Sequence, residues 1–269
     1  MNEIHLIPTA GLCNRLRAIA SSVYIAQKLN LPLRIFWNRY DGLNANFEDL
    51  FLPIPSAIAT LTDSKSWRYD INYTKDYLLR WPFLQSYQQI IYNFTNQNGA
   101  DIFPKLKKRN GKILLISCHT MSDMYDLNKL FVPQSDIQAS IEEITQLFTS
   151  HTIGVHIRRT DNALSIADSP IEEFITMMEG EIHRDNDVSF YLATDDDTTK
   201  EYIRQKFPDR IITYEKDTSR DSLEGMKFAV AELFTLSKTN KIIGSNYSSY
   251  SQIAAELGKI PLEYARRDN

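Results

Sequence analysis

Apolar and polar positions change their period along the chain, and the clearest stretch begins at residue 152. There, short apolar runs predict strands over 153–157, 189–193, 210–214 and 241–244. Between and after them, apolar residues at helical spacing predict helices over 171–183, 198–207, 223–236 and 249–257. Repeated βα units imply a parallel sheet wrapped by helices. Such sheets bind ligands at the carboxyl edge of the strands, where loops lead into helix N-termini carrying unpaired N–H groups and positive partial charge.

The N-terminal pattern opens the same way. Residues 4–7 are a short apolar run, a polar turn follows, and residues 12–29 carry helical spacing. Residues 32–37 alternate as a strand and 47–51 predict a short helix that closes a βαβ beginning. Residues 53–109 have weak periodicity and many Tyr, Trp and Asn, which predicts short helices and irregular connections. A buried strand over 112–118 and a helix over 136–148 lead into the second pattern. The expectation is an α/β protein of two lobes, divided as residues 1–135 and 136–269.

With 269 residues the chain is long enough to give each lobe a core. The net charge of −4 argues against binding a long polyanion, so no nucleic-acid partner is expected and any basic surface serves a small anion. The two cysteines, Cys13 and Cys118, have no spacing suited to zinc or a disulfide framework. A reducing compartment fits them. The chain opens on an apolar strand pattern rather than a basic leader, and no apolar run is long enough to span a bilayer, so a cytoplasmic location is expected. The aromatic-rich residues 78–94 leave a peripheral membrane contact open.

Candidate chemistry falls at the predicted strand ends. Residues 154–161 begin as a strand and end in Arg158, Arg159, Thr160 and Asp161. Adjacent arginines there suit a diphosphate, because guanidinium groups donate paired planar hydrogen bonds and stay charged. The same run is also that of a surface Arg pair with Asp161 as its local ion-pair partner. His156 shares a strand face with Arg158, which is compatible with a contact to ribose or phosphate or with a packed structural histidine. Asp195, Asp196 and Asp197 follow the next strand. They admit a metal reading, but capping of the following helix and support of the site fit better, since two arginines already neutralise a leaving diphosphate. No metal and no cofactor are expected.

Residues 244–250, with Ser248 and Ser249, combine hydroxyls with a helix start, either as an anion cradle or as a plain serine cap. Glu232 lies in an otherwise apolar helix, as a solvated residue or as an acceptor for the N1–H and N2 amino edge of guanine. In the first lobe, Gly11 permits a tight turn before a helix whose Asn14 and Arg15 are candidates to reach a ligand. Arg17 reads equally as a solvated helix residue.

Taken in order, these clusters resemble the fucosyltransferases that use GDP-fucose, above all the α1,6-type enzymes and the bacterial nodulation fucosyltransferases. Residues 156–161 are similar to the family's first motif, continued by 169–174; 191–196 resemble the second, and 232–237 with 245–249 the third. The opening helix, Trp37 and residues 47–51 are similar to the start of the nodulation enzymes. The resemblance implies a GT-B-like fold, two Rossmann-like lobes with a cleft between them, the first on the acceptor side and the second binding the GDP-sugar. It further implies an inverting transfer of fucose without a required metal; the expected cytoplasmic location suggests a lipid-linked surface-glycan precursor or another intracellular glycan as acceptor.

By the same resemblance, Arg158 binds the β-phosphate and Arg159 supports it, His156 contacts the nucleoside, Glu232 the guanine, and Ser248 and Ser249 the phosphates. Asp195 and Asp196 belong to the second motif. This chain departs from the family by having Glu232 where an aspartate is usual and Asn162 where the α1,6-type enzymes have a lysine. Ser165 and Ile166 occupy the neighbourhood of their activating glutamate, which leaves Asp161 and Asp168 as candidates for the acceptor's base. Residues 69–92 are a candidate sugar platform. A transferase using another nucleotide sugar, and a non-catalytic nucleotide-sugar-binding protein, are the competing readings.

Overall fold

A computed structural model describes residues 2–40, 42–64, 84–96, 100–106, 111–215 and 221–267. The chain divides into two compact units, Met1–Gln134 with Arg220–Met226, and Ser135–Ser219 with Lys227–Asn269. Residues of the later segment join the first unit through contacts such as Asn44 Nδ2 donating to the Asp221 carbonyl at 2.9 Å.

In the first unit, β1 (Glu3–Pro8) leads into α1 (Leu12–Leu29), β2 (Leu33–Asn38), the short α2 (Phe47–Leu50), β3 (Thr60–Ser64), β4 (Gln89–Tyr92), β5 (Lys112–Ser117) and the short α3 (Leu127–Leu130). Its five strands are parallel in the order β3-β2-β1-β5-β4. On α1, the buried residues Leu12, Leu16, Ile19, Val23 and Ala26 recur at helical spacing. The helix stops at Asn30, whose left-handed φ of 53° lets its N–H bond the Ala26 and Gln27 carbonyls.

Two strands form inside the stretch expected to be irregular. β3 has the polar sequence TLTDS and β4 only four residues of alternating exposure; each lies at a sheet edge, where one flank needs no apolar run. The expected sugar platform and membrane-facing segment lie outside the described residues as far as residue 83. Beyond that point Tyr87 is buried and hydrogen-bonded to His5 Nδ1 at 2.7 Å, while Tyr92 is exposed.

The second unit runs α4 (Ser135–Thr145), β6 (Thr152–Ile157), α5 (Ala163–Asp168), α6 (Ile171–Arg184), β7 (Ser189–Thr194), α7 (Asp197–Lys206), β8 (Ile211–Ile212), α8 (Leu223–Leu236, whose residues up to Met226 group with the first unit), β9 (Ile242–Ser245), α9 (Ser249–Gly258) and β10 (Leu262–Ala265). All five strands are parallel, in the order β10-β9-β6-β7-β8. Every residue of β6 is buried, as a central parallel strand covered on both faces requires. Ile153, Val155, Phe190, Leu192 and Ile243 from the strands pack with Phe174, Met178 and Ile203 from the helices. β10 was not expected, being a short edge strand with Glu263 in its middle.

Numbered within the unit, these strands read 3-2-1-4-5, so the winding reverses between β6 and β9. A sheet wound this way parts its connecting loops at that reversal and leaves a crevice at the carboxyl ends of the two strands. Among the described residues, no helix is long and apolar enough to cross a membrane.

Candidate nucleotide-sugar site

The loop after β6 is fixed from both sides at this reversal. Arg158 N donates to Ser245 Oγ, at the end of β9, at 2.9 Å. The next amide, Arg159 N, donates the other way to Asp195 Oδ1, just past β7, at 2.7 Å. Two glycines allow the close approach of the helices behind it. A Cβ at Gly154 would come within 2.6 Å of Leu236 Cδ1, and one at Gly244 within 2.6 Å of Ser251 Oγ.

Arg158 ends up among carboxylates. Its Nη1 lies 2.7 Å from Asp195 Oδ2, and its Nη2 pairs with Asp161. Asp195 also accepts from Thr160 Oγ1 at 2.6 Å. Arg159 turns to the other side: Nη1 donates to the Ser169 carbonyl at 2.9 Å and the guanidinium lies 5.9 Å from the Phe174 ring centroid. Burial pulls its pKa down, against Glu172, Asp195 and Asp196, which hold it up. Arg159 Nη2, Ser165 Oγ and Thr194 Oγ1 are buried without a hydrogen-bond partner among the described residues. Donors and acceptors left in this condition beside a charged network are suited to a polar ligand.

His156 is buried, donates or accepts at Nδ1 with Ser251 Oγ at 2.7 Å, and stacks on Tyr250 with ring centroids 4.8 Å apart. Burial drives its pKa down to about 3, with Asp195 opposing and Arg158 assisting, so the ring is neutral at physiological pH. Tyr250 Oη donates to the Ala229 carbonyl at 2.8 Å and lies 3.2 Å from Glu232 Oε2. Burial pushes the Glu232 carboxyl up to about 8, with Tyr250 and Lys200 opposing and Asp195 assisting.

The remaining expected residues divide. Asp168 Oδ2 accepts from Asn246 Nδ2 at 2.9 Å, and Ser169 Oγ from Asn246 N at 2.9 Å, which ties α5 to the loop after β9. Ser248 occupies the N-cap position of α9 but makes no capping hydrogen bond through its side chain; Ser249 is the first helical residue. Asp196 caps α7, accepting from Thr199 N at 2.7 Å and Thr199 Oγ1 at 2.6 Å. Asp197 pairs with Lys200 at 3.1 Å. Among the described residues, no group of three His, Cys, Asp or Glu is placed to hold a metal ion.

In the first unit, Arg15 is part of the scaffold. Its Nε donates to the Ala10 carbonyl at 2.9 Å and Nη1 to the Asn38 carbonyl at 2.6 Å, with the rings of Trp37 and Tyr40 about its guanidinium. The Arg15 guanidinium, expected to reach a ligand, is nearly fully buried and engaged by the first unit's own groups. Asn14 Oδ1, Asn38 Oδ1 and Arg39 Nε, all belonging to segments at the carboxyl edge of this sheet, are buried and unpartnered among the described residues. Arg17, read as a solvated residue, donates from Nε to the Cys118 carbonyl at 2.8 Å, and burial lowers its pKa.

Sequence reasoning singled out Ser248 and Ser249 in the run 244–250, whereas Ser245 and Asn246 make the hydrogen bonds to the β6 loop and α5. No spacing marks them; only the strand register across β6 and β9, with His156 opposite Gly244, brings Ser245 to Arg158.

No protein-family model matches the chain, and no curated protein matches it in sequence. Solved structures do. NodZ α-1,6-fucosyltransferase soaked with GDP-fucose is 17% identical over 96% of this chain and 93% of its own, with a TM-score of 0.65. A mutant of Arabidopsis thaliana FUT1 in complex with GDP is 13% identical, over 100% of this chain and 71% of its own, TM-score 0.61. POFUT1 in complex with GDP is 10% identical, over 98% of this chain and 97% of its own, TM-score 0.56. The chain therefore has the GT-B-like α/β fold of these fucosyltransferases, two Rossmann-like units each built on a parallel five-stranded sheet.

Proposed function

We propose that the protein is an inverting glycosyltransferase that moves fucose from GDP-fucose to a glycan hydroxyl, in the synthesis of a surface glycan. The second unit holds the donor and the first the acceptor, a glycan or lipid-linked glycan, on the cytoplasmic side. The observation that carries the reading is Arg158, set at the β6–β9 reversal by Ser245 and Asp195. The likeness in fold to structures holding GDP or GDP-fucose supports the nucleotide class.

In the reaction, the acceptor oxygen attacks the anomeric carbon from the face opposite GDP, through a transition state with oxocarbenium character. Negative charge develops on the β-phosphate as GDP departs. Arg158 and the start of α9 at Ser248 and Ser249 meet that charge, while Arg159, turned to the Ser169 carbonyl, supports the loop that carries Arg158; a donor preorganised in this way is commonly worth on the order of 10²–10³ in rate. These groups supply the positive charge that a metal would otherwise bring, so no metal is required. Glu232 receives the guanine edge, and His156 acts on it indirectly, by stacking on the Tyr250 ring that contacts Glu232.

The test is incubation with labelled GDP-fucose and a panel of glycan acceptors, reading both hydrolysis and transfer. The expected product carries fucose in the anomeric configuration opposite to the donor's. Turnover of UDP- or ADP-sugars instead, or GDP-sugar binding with no turnover on any acceptor, overturns the reading.

A further inference from the structure

Two carboxylates share the Arg158 guanidinium and are held differently. The Asp195 side chain is 16% exposed and, besides Nη1 of Arg158, satisfies Arg159 N and Thr160 Oγ1. Detaching it would strand three donors. Asp161 pairs with Nη2 from a side chain that is 60% exposed. Ion pairs open to water on one side contribute little, because solvent competes for both partners.

The backbone around Asp161 is fixed. Arg158 N and Arg159 N are bound to the neighbouring strand ends. On the other side, Asn162 caps α5 through Ser165 N at 3.1 Å and donates from Nδ2 to the Tyr247 carbonyl at 3.0 Å. Opening the Nη2 edge therefore asks the exposed Asp161 side chain to rotate while the loop keeps its shape.

Carboxylate and phosphate take the same planar N–H edge of a guanidinium. We propose that Asp161 and the β-phosphate of the donor compete for the Nη2 edge of Arg158, so that donor binding displaces the Asp161 carboxylate and makes it available as the acceptor's base. This rests on the donor reading given above and orders the reaction, donor before deprotonation. In the transfer step, the acceptor hydroxyl proton passes to Asp161 and the acceptor oxygen bonds to the anomeric carbon. The bond from that carbon to the β-phosphate oxygen breaks, and its electron pair leaves with GDP.

Calorimetric titration of GDP into the wild type and Asp161→Asn, with steady-state transfer from GDP-fucose, tests the exchange. Asp161→Asn is expected to bind GDP about two- to fivefold more tightly, the range of an exposed ion pair. The gain should persist at about 1 M salt, where the Debye length is about 3 Å and repulsion acting through solvent is screened. Loss of the base should lower kcat by about 10²-fold or more without raising the KM for GDP-fucose. Asp161→Ala is expected to show the same gain in GDP affinity, which guards against a local fault of one variant. Unchanged or weaker GDP binding by both variants overturns the inference, as does a crystal structure of the GDP complex in which Arg158 and Asp161 remain paired. Failure of the wild type to bind GDP overturns the donor reading and this inference with it.

Discussion

Arg158 Nη1 and Asp195 Oδ2 lie 2.7 Å apart across the ends of two adjacent parallel strands, β6 and β7. Asp195 is also the acceptor that fixes the backbone of the following residue, so one carboxylate sets both the direction of the guanidinium and the path of its loop. Asp195→Ala is expected to lower the unfolding free energy by about 1–3 kcal/mol, because it leaves buried donors unpaired. It should weaken GDP binding at the same time. Urea denaturation with GDP titration of the same samples checks both; a stable variant with unchanged GDP affinity would sink the orienting role.

Glu232 gives the site a pH dependence. Its folded-state pKa is raised to about 8, so the folded protein holds a proton that the unfolded chain releases at an ordinary carboxyl pKa. The stability this provides is complete below the unfolded value and is lost as pH rises toward 8. His156, depressed to about 3, works in the other direction as pH falls below its unfolded value. Comparing thermal midpoints of the wild type and Glu232→Gln from pH 5 to 8 isolates the glutamate. The variant should gain on the wild type steadily over that range; parallel curves would contradict the assignment.

Recognition of guanine by an ionised Glu232 implies that GDP binding releases this proton. GDP affinity should then rise with pH up to about 8, by as much as about tenfold per unit, and Glu232→Gln should lose the dependence. Calorimetry in buffers of different ionisation enthalpy reads the released proton directly. A pH-independent wild-type affinity would separate Glu232 from the base.

With the acceptor on the first unit, as proposed, Arg39 and Asn14 are its candidate contacts. Each has a buried polar atom without a partner among the described residues. Arg39→Ala is expected to raise the acceptor KM by about tenfold, the scale of one charge-assisted hydrogen bond, with GDP affinity unchanged. Steady-state kinetics with acceptor varied at saturating donor measures it, and an effect confined to the donor would count against the assignment.

How far these features are legible in sequence depends on what each asks of a residue. β6, β7 and β9 are central strands, and burial on both faces writes them as apolar runs. β3 and β10 are edges and carry Thr62, Asp63 and Glu263 at no cost, so nothing in their composition announces a strand. Arg158 and Arg159 stand out in the sequence as a pair, but their division, one to Asp195 and Asp161 and the other to the Ser169 carbonyl, is set by the tertiary structure. Arg15 and Arg17 were not distinguishable, since both stand at the start of one amphipathic helix; only tertiary structure encloses Arg15 between Trp37 and Tyr40. Asp195 and Asp196 are neighbours in sequence with separate tasks, one bound to arginine and one to a helix start, and that division follows from which way each points as β7 ends.

In the proposed function, Arg158 receives the diphosphate of a guanine nucleotide. Calorimetric titration of GDP and of guanosine into the wild type and Arg158→Ala tests it most directly, with circular dichroism to confirm the fold. The wild type is expected to bind GDP far more tightly than guanosine, and Arg158→Ala to lose about tenfold to 10²-fold of GDP affinity with its guanosine affinity unchanged. Equal GDP affinity in the two proteins, both folded, would contradict it.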